Sequence, residues 1–367
     1  MPPVASLSST TSNEPSRTPM HGNAALWRRR VAAWLVRHLV APPKNLVGAG
    51  QLPASGIQRI LVCRPNHRLG NTLLLTPLLV EIERRFPGAE VDLLSAGPAA
   101  HSVFRGFDIV GDCMTLDRRA ARRPLATIGA LRKLRSRRYD LVIDAAAGSS
   151  SGRIASAMAK ARFQLRTDAM PNEGPVTHLA ARPVQALRWA LGARGEGEVP
   201  LLDVRLTDAE RRCGQDALTR VLRDANERGL PVMAIFPNAT GSKRLPTDWW
   251  SDFANELLAR IGDVCIVELV SADGKSRLGG GYPTYYTSDP RKLASFIEAA
   301  GTYISADCGV MHLAAATNAT TVGLFGPTDP GRYAPYGRNN AAIACDDGCP
   351  RHAATRTAAH LQRRRSP

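Results

Sequence analysis

The sequence predicts an α/β fold with two doubly wound parallel-sheet domains that face a cleft. The chain has 367 residues, 44% of them hydrophobic, which suits two domains with sizeable cores. Short apolar runs typical of buried strands alternate with longer amphipathic segments typical of helices. This alternation begins near residue 59 and begins again near residue 232, so it indicates two sheets of similar design.

The first domain is predicted over residues 56–200. We expect its strands at Arg59–Cys63, Glu90–Leu94 and Tyr139–Asp144. A helix is expected over Asn71–Phe86, and Pro77 within it should kink it or divide it into two pieces. An arginine-rich helix is expected over 118–138. Strand–helix–strand units of this length pair their strands in parallel.

The second domain is predicted over residues 201–345. It is expected to open with a helix over Thr207–Gly229, and later helices are expected at Asp248–Ile261, Pro290–Ala300 and Val310–Ala316. The strands are expected at Val232–Phe236, Val264–Leu269, Thr302–Ser305 and Thr321–Phe325. Ligands bind beyond the carboxyl ends of parallel strands, so the cleft between the domains is the expected site.

Residues 1–55 are interpreted as a disordered and basic amphipathic leader. The segment 1–23 is rich in Ser, Thr and Pro, and the following stretch has Trp27 and Trp34 on one face of a predicted helix with arginines mostly elsewhere. This helix either lies in a membrane interface or docks on the folded domain. No run of 18 apolar residues is present, so no spanning segment is expected.

The net charge of +16 is unevenly distributed. Residues 1–50, 118–138 and the predicted basic tail 346–367 hold twenty Lys and Arg, which leaves the rest of the chain near neutral. Aromatic residues are only 5% of the chain, too few for the stacking platforms of single-strand binders. A membrane surface or an anionic glycolipid is therefore the expected partner, and nucleic acid is not.

The seven cysteines are odd in number and scattered, which indicates reduced thiols in a cytoplasmic protein. Cys345, Cys349 and His352 are the one group that could be considered as metal ligands. That set is incomplete and unusually spaced, so we expect no metal site.

Three loops carry candidate chemistry. The first, Arg64–Asn71, follows the first strand, and Gly70 lets its backbone approach a ligand. The second, Pro237–Arg244, offers hydroxyls, amides and an ammonium for a diphosphate from Thr240, Ser242 and Lys243. Either loop could also be a plain connector.

The third loop, Ser305–His312, leads into a short helix and is joined by Gly326–Pro330 after the last strand. Asp307 and Gly309 precede a helix whose amides could hold phosphate oxygens. Asp307 could equally be an N-cap, and His312 a buried structural residue.

The segments Arg64–Leu79 and Asp307–Ala315, with Gly326–Pro330 and Tyr336-Gly337, resemble the signature segments of the heptosyltransferase family. These are inverting GT-B glycosyltransferases of glycosyltransferase family 9, which build the lipopolysaccharide core. The resemblance runs from about residue 59 to residue 337. It implies an ADP-linked heptose donor on the C-terminal domain, a lipid A-linked acceptor on the N-terminal domain, and no metal or other cofactor.

The resemblance also implies roles for individual residues. Lys243 matches a lysine that contacts the donor diphosphate, and Asp307 matches an aspartate that binds the donor sugar. The remaining donor residues are expected to be Thr240, Ser242, Gly309, Val310, Met311, His312, Gly326 and Thr328. Acceptor contacts are expected from Arg64, Asn66 and Arg68.

Asn71 departs from the family pattern, which commonly has aspartate at this position as the presumed general base. An amide cannot accept that proton. Either His67 serves as the base, or Asn71 only orients the acceptor hydroxyl, or the chain binds nucleotide sugars without turnover. We favour an active transferase that is cytoplasmic and peripheral on the inner face of the membrane. A non-catalytic sugar-nucleotide-binding protein is the alternative.

Overall fold

A computed structural model describes residues 45–97, 99–115, 124–146, 149–171, 177–222 and 229–365. The amphipathic segment with Trp27 and Trp34, and residues 118–123 of the arginine-rich stretch, lie outside these residues. Within the described part of the chain, no helix is both long and apolar enough to cross a membrane.

The first domain is a five-stranded sheet in the order β3-β2-β1-β4-β5, with every pair parallel. Its strands are β1 (Arg59–Cys63), β2 (Glu90–Ser95), β3 (Val110–Thr115), β4 (Arg138–Asp144) and β5 (Lys160–Arg166). Its helices are α1 (Leu69–Leu73), α2 (Thr76–Arg85), α3 (Ala99–Phe104), α4 (Pro124–Ser136), α5 (Ser150–Met158) and α6 (Ala181–Ala190). The strand order is that of a doubly wound sheet.

The helix expected over 71–86 is divided, as the proline predicted. Helix α1 ends before Leu74, and Pro77 lies in the first turn of α2, where its missing N–H costs nothing. The Thr76 hydroxyl donates to the Leu73 carbonyl at 2.9 Å and accepts the Asp203 amide at 3.2 Å. The break therefore leaves α1 as a separate short helix at the edge of the cleft.

The second domain is a six-stranded parallel sheet in the order β11-β10-β9-β6-β7-β8. Its strands are β6 (Val232–Phe236), β7 (Cys265–Leu269), β8 (Thr284–Tyr285), β9 (Thr302–Ala306), β10 (Thr320–Phe325) and β11 (Ala341–Ala344). Its helices are α7 (Asp208–Val221), α8 (Thr247–Ile261), α9 (Pro290–Ala300), α10 (Gly309–Ala314), α11 (Pro330–Tyr333) and α12 (Pro350–Arg365).

Both ends of the described chain are more structured than the sequence suggested. Val47 and Leu52, assigned to the leader, are buried in the first core, and the Val47 amide donates to the Gln164 carbonyl at 2.8 Å. The basic tail contains α12, whose Ala354 and Leu361 pack into the second core. The sequence did not predict α12, because the basic residues of this segment obscure the helical spacing of its few apolar residues.

Apolar cores cover both faces of each sheet. The largest core continues from the first domain into α9 and α10 through Ala294, Leu313 and Ala316. Arg291 ties the same junction together, because it pairs with Glu210 and donates to the carbonyls of Ser102 and Val204. The two sheets therefore meet along a packed seam below the cleft.

Candidate functional site

The candidate site lies where the strand order of each sheet reverses. In the first sheet this point is between β1 and β4, and in the second it is between β6 and β9. Loops at such points diverge and leave a crevice for a ligand. Arg64 and Ala145 follow the first pair of strands, and Lys243 and Asp307 follow the second.

Lys243 and Asp307 form a salt bridge across the crevice of the second sheet, with Nζ 2.5 Å from Oδ2. Lys243 ends a 3₁₀ turn over Gly241–Lys243, and the positive φ of +66° at Gly241 suits glycine. The Asp307 side chain is almost fully buried, whereas Lys243 is 28% exposed. A buried carboxylate is thus paired with a partly exposed ammonium at the mouth of the cleft.

The two domains touch through glycine backbones beside this pair. A Cβ on Gly70, in α1, would lie 2.6 Å from His312 Cδ2 and 3.3 Å from the Gly309 Cα. A Cβ on Gly309 would lie 3.3 Å from the Gly70 amide nitrogen. Both positions therefore require glycine for this close approach, which brings the first loop of one domain against the start of α10.

His312 is buried under this contact, and no hydrogen bond is found for its Nδ1 among the described residues. Burial lowers the pKa of His312 from 6.5 to about 4. The charge of Asp307 opposes this shift, and the charges of His178, Lys243 and Arg64 add to it. The imidazole is therefore neutral at pH 7.

Two further polar atoms at the same sheet edge are buried without a hydrogen-bond partner in the described part of the chain, Asn238 Oδ1 and Thr328 Oγ1. Asn238 donates through Nδ2 to the Ser271 hydroxyl. Unsatisfied buried polar atoms cost free energy, and a ligand is one way to satisfy them. Asn238 lies in the second candidate loop, Pro237–Arg244, but was not singled out there, and Ser271 lies outside the three candidate loops.

The Arg64 side chain lies between the ends of β1 and β4, where the strand order of the first sheet reverses. Its Nη1 donates to the Ala145 carbonyl at 3.2 Å, and its Nη2 donates to Asn71 Oδ1 at 3.4 Å. Burial lowers the pKa of Arg64 to about 10, so it is still a cation at pH 7. Arg64 and Asn71, predicted for acceptor binding and catalysis, are brought together.

The other polar residues of the first loop make fewer contacts with the rest of the protein. The Asn66 side chain accepts the Arg68 amide at 3.0 Å, which shapes the turn. His67 is exposed, and its backbone lies against Gly97, where an added Cβ would be 3.1 Å from the His67 Cα. No hydrogen bond joins His67 to Asn71 among the residues that the structure describes.

The predicted donor residues divide into two groups. Thr240 and Ser242 are exposed at the cleft, and Gly309, Val310 and Gly326 are partly exposed. The Met311 side chain, in contrast, is fully buried in the second domain's core. Its side chain is therefore not a ligand contact, because the i, i+3 and i+4 spacing of α10 turns it toward the sheet.

Tyr333 is a site residue that the sequence did not identify. The Lys243 ammonium lies 5.8 Å from the centre of its ring. Nearby, His178 Nε2 donates to the Ala334 carbonyl at 2.9 Å, and its ring packs against Tyr336. Segment 333–336 therefore contacts residues of both domains, including Lys243.

The three residues considered as metal ligands do not converge. Cys345 is buried and its thiol donates to the Ile343 carbonyl, whereas His352 Nδ1 lies 2.8 Å from Asp347. Within the described ranges, no group of three or more His, Cys, Asp and Glu side chains is arranged to hold a metal.

Solved structures of the same architecture identify the fold. E. coli heptosyltransferase WaaC with ADP is similar with a TM-score of 0.63 at 18% identity, covering 83% of this chain and 99% of that one. The glycosyl transferase family 9 protein from Veillonella parvula has a TM-score of 0.64 at 16% identity, covering 82% and 89%. The fold is therefore GT-B, as predicted.

Sequence comparison finds similarity to one family over part of the chain. Residues 290–360 match the sequence model of glycosyltransferase family 9 (heptosyltransferase). Lipopolysaccharide heptosyltransferase 1 of Pseudomonas aeruginosa is 29% identical over 134 residues, which are 35% of this chain and 38% of that relative's length. Both matches are similarities to glycosyltransferase family 9, and each spans only part of the chain and of its relative.

Proposed function

We propose that the chain is an inverting glycosyltransferase that moves a heptose or related sugar from a nucleoside-diphosphate sugar to a lipopolysaccharide-core or other glycolipid acceptor. The observation that carries this proposal is the Lys243–Asp307 salt bridge facing Gly70 of the other domain. A cation for a leaving diphosphate and a carboxylate for sugar hydroxyls are thus preassembled where the two domains meet.

The donor is proposed to bind the second domain. The Lys243 ammonium would turn from Asp307 to the diphosphate, and stabilisation of the charge that develops on the leaving group is the main catalytic contribution of such a group. Asp307 would then accept hydroxyls of the sugar. An ADP-linked donor is supported by relatives of similar fold, solved with ADP and with ADP-2-deoxy-2-fluoro heptose.

The acceptor is proposed to bind the first domain beside Arg64 and Asn71. Its nucleophilic oxygen would attack the anomeric carbon opposite the diphosphate, and this single displacement inverts the configuration. Alignment of the two substrates across the cleft supplies much of the rate enhancement in such a reaction. The basic leader would keep the protein on the inner face of the cytoplasmic membrane, near a lipid-linked acceptor.

The alternative is a sugar-nucleotide-binding protein without turnover, which is favoured by the amide at position 71. The full-length protein should be incubated with a panel of labelled nucleotide sugars and lipopolysaccharide-core acceptors. Labelled product supports the transferase. Donor binding without product supports the alternative, and the absence of binding contradicts both.

A further inference from the structure

The guanidinium of Arg64 lacks a carboxylate partner among the described residues. Its two hydrogen bonds go to neutral oxygens, those of Ala145 and Asn71. Other arginines at the seams of the fold form ion pairs, such as Arg188 with Glu81 and Arg291 with Glu210. A partly buried cation without an opposite charge is costly, so Arg64 is poised to receive an anion from the cleft.

Asn71 is oriented to help bind that anion. Its Oδ1 accepts the Arg64 Nη2 hydrogen, which directs the two Nδ2 hydrogens elsewhere. No hydrogen bond from this Nδ2 is found in the described part of the structure. The guanidinium and the amide therefore present only donors on their free sides.

Other groups at the cleft are poorly placed to accept a proton from a hydroxyl nucleophile. Asp307 is paired with Lys243. Burial raises the pKa of Asp144 to about 6, which suits a base, but this carboxylate lies under α5 and accepts the Ala146 amide, on the face of the first sheet opposite to α1 and α2. His312 is buried, and its pKa of about 4 makes it a weak base at pH 7. His67 remains, exposed and without a described hydrogen bond.

We infer that the acceptor's nucleophile is an oxygen that is already anionic, belonging to a phosphate monoester or a carboxylate, and that Arg64 and Asn71 bind it. Guanidinium binds both groups through two parallel hydrogen bonds. This inference rests on the proposed function, since it names the acceptor class of the same site. It also accounts for an amide where a hydroxyl acceptor would require a base.

The reaction balances without a base. A lone pair of the anionic oxygen forms the new bond to the anomeric carbon, and the bond from that carbon to the diphosphate oxygen breaks. The electron pair of the broken bond leaves with the nucleoside diphosphate, next to Lys243. No proton is transferred, so the product is a glycosyl phosphodiester or a glycosyl ester.

The test compares three acceptors with the same alkyl chain: decyl phosphate, decanoate and decyl glucoside. The full-length protein receives labelled ADP-heptose with each one, and product is identified by mass spectrometry and phosphorus NMR. General-base assistance is worth about 10²–10⁴-fold, so transfer to one of the anionic acceptors should exceed transfer to the hydroxyl by at least about 10²-fold. The phosphate and carboxylate arms identify which anion is used.

Variants at the site sharpen the comparison. Asn71→Asp would pair with Arg64 and repel an anion, so transfer to the anionic acceptor should fall and transfer to decyl glucoside should rise. Arg64→Gln should raise KM for the anionic acceptor at least tenfold and leave donor affinity unchanged. Arg59→Gln, at the exposed opposite end of β1, is the matched control and should change neither.

Equal or faster transfer to decyl glucoside overturns the inference, most clearly if His67→Ala then abolishes transfer. Donor binding with no transfer to either anionic acceptor overturns it as well. Failure of the proposed function is a different result, because the protein would then bind no nucleotide sugar, or would transfer sugar to no acceptor at all, including lipopolysaccharide core.

Discussion

At the scale of single residues, the Lys243–Asp307 pair is the feature with the clearest consequences. The Lys243 ammonium and the Asp307 carboxylate bind each other, with 2.5 Å between Nζ and Oδ2. The carboxylate therefore competes with a diphosphate for the ammonium. The two residues should consequently have opposite effects on the affinity for ADP, although both are proposed to be required for sugar transfer.

Lys243→Ala should weaken ADP binding by about 1.5–3 kcal/mol, the usual range for a hydrogen bond to a charged group. Asp307→Asn should leave ADP affinity unchanged or increase it, because the ammonium is released, and should still reduce turnover. Isothermal titration calorimetry measures the first effect directly. Lys292→Ala, at an exposed position of α9, is the control. Equal ADP affinity of Lys243→Ala and wild type would show that the turn does not bind the diphosphate.

His312 gives the protein a predictable sensitivity to acid. Its pKa is about 4 in the folded state and near 6.5 when unfolded, so the unfolded state binds the proton first. The stability that depends on neutral His312 is complete above about pH 6.5 and is lost as pH falls toward 4. A shift of this size corresponds to an effect on the order of 3 kcal/mol.

Urea unfolding of wild type and His312→Gln between about pH 7 and 4.5 measures this effect, and the pH dependence should be shallower in the variant. Asp144 acts in the opposite direction, because burial raises its pKa to about 6 and stability falls as pH rises through that range. Because Asp144 is present in both proteins, the difference between their pH dependences gives the contribution of His312 alone. Parallel curves would mean that His312 has the same pKa in the folded and unfolded states, which would contradict this account.

At the scale of elements, the contact between α1 and α10 sets the spacing of the domains. Gly70→Ala would place a methyl group 2.6 Å from His312 Cδ2, so the helices must separate. Overpacking of this kind costs about 1–3 kcal/mol, and the displaced cleft should also lose activity. Gly129→Ala, in α4 with nothing within 4 Å, is the matched control. A Gly70→Ala protein with wild-type stability and activity would refute this account.

Helix α12 is a structural part of the second domain despite its basic composition. It packs on α8 through Ala353, Ala354, Ala358 and Leu361, and the Trp249 indole donates to the Gly348 carbonyl at 2.8 Å. Removing residues 350–367 should lower the urea midpoint and expose apolar surface. Replacing the exposed Arg363 by Ser, which removes charge but no apolar packing, should leave the midpoint nearly unchanged. Equal stability of the truncated chain would show that α12 is dispensable.

At the scale of the whole molecule, the leader is proposed to bring the protein to the membrane. Since residues 45–52 pack on the first domain, the informative deletion ends at residue 44. Deletion of residues 1–44 removes six Lys and Arg, one Glu and two Trp, and should release the protein from anionic vesicles. Sedimentation with vesicles measures this, and transfer to a short-chain acceptor should be unaffected. Retained binding would assign membrane contact to another surface.

The sequence predicted strands of both sheets, because buried strands have recognisable apolar runs. It also predicted the loops of the candidate site, because glycines follow strands where the backbone comes close to a neighbouring segment. It did not predict β3, β5 or α6, whose mixed polarity weakens the periodic signal. Tyr333 was missed because its contact with Lys243 joins distant segments. Asn238, although part of the second candidate loop, was not singled out because its contact with Ser271 cannot be inferred from spacing. Met311 stays a predicted part of the helix start that holds the diphosphate, but the motif did not show that its side chain points into the core.

The central claim is a single displacement at the anomeric carbon across the cleft between the two domains. NMR of the product formed from ADP-heptose by the full-length protein tests it most directly, since the one-bond coupling constant between C1 and H1 reports the anomeric configuration. The account predicts transfer that depends on an acceptor and gives a product with the anomeric configuration opposite to the donor's. A product that retains the donor's configuration would contradict it, as would ADP-heptose that stays bound and intact with every acceptor.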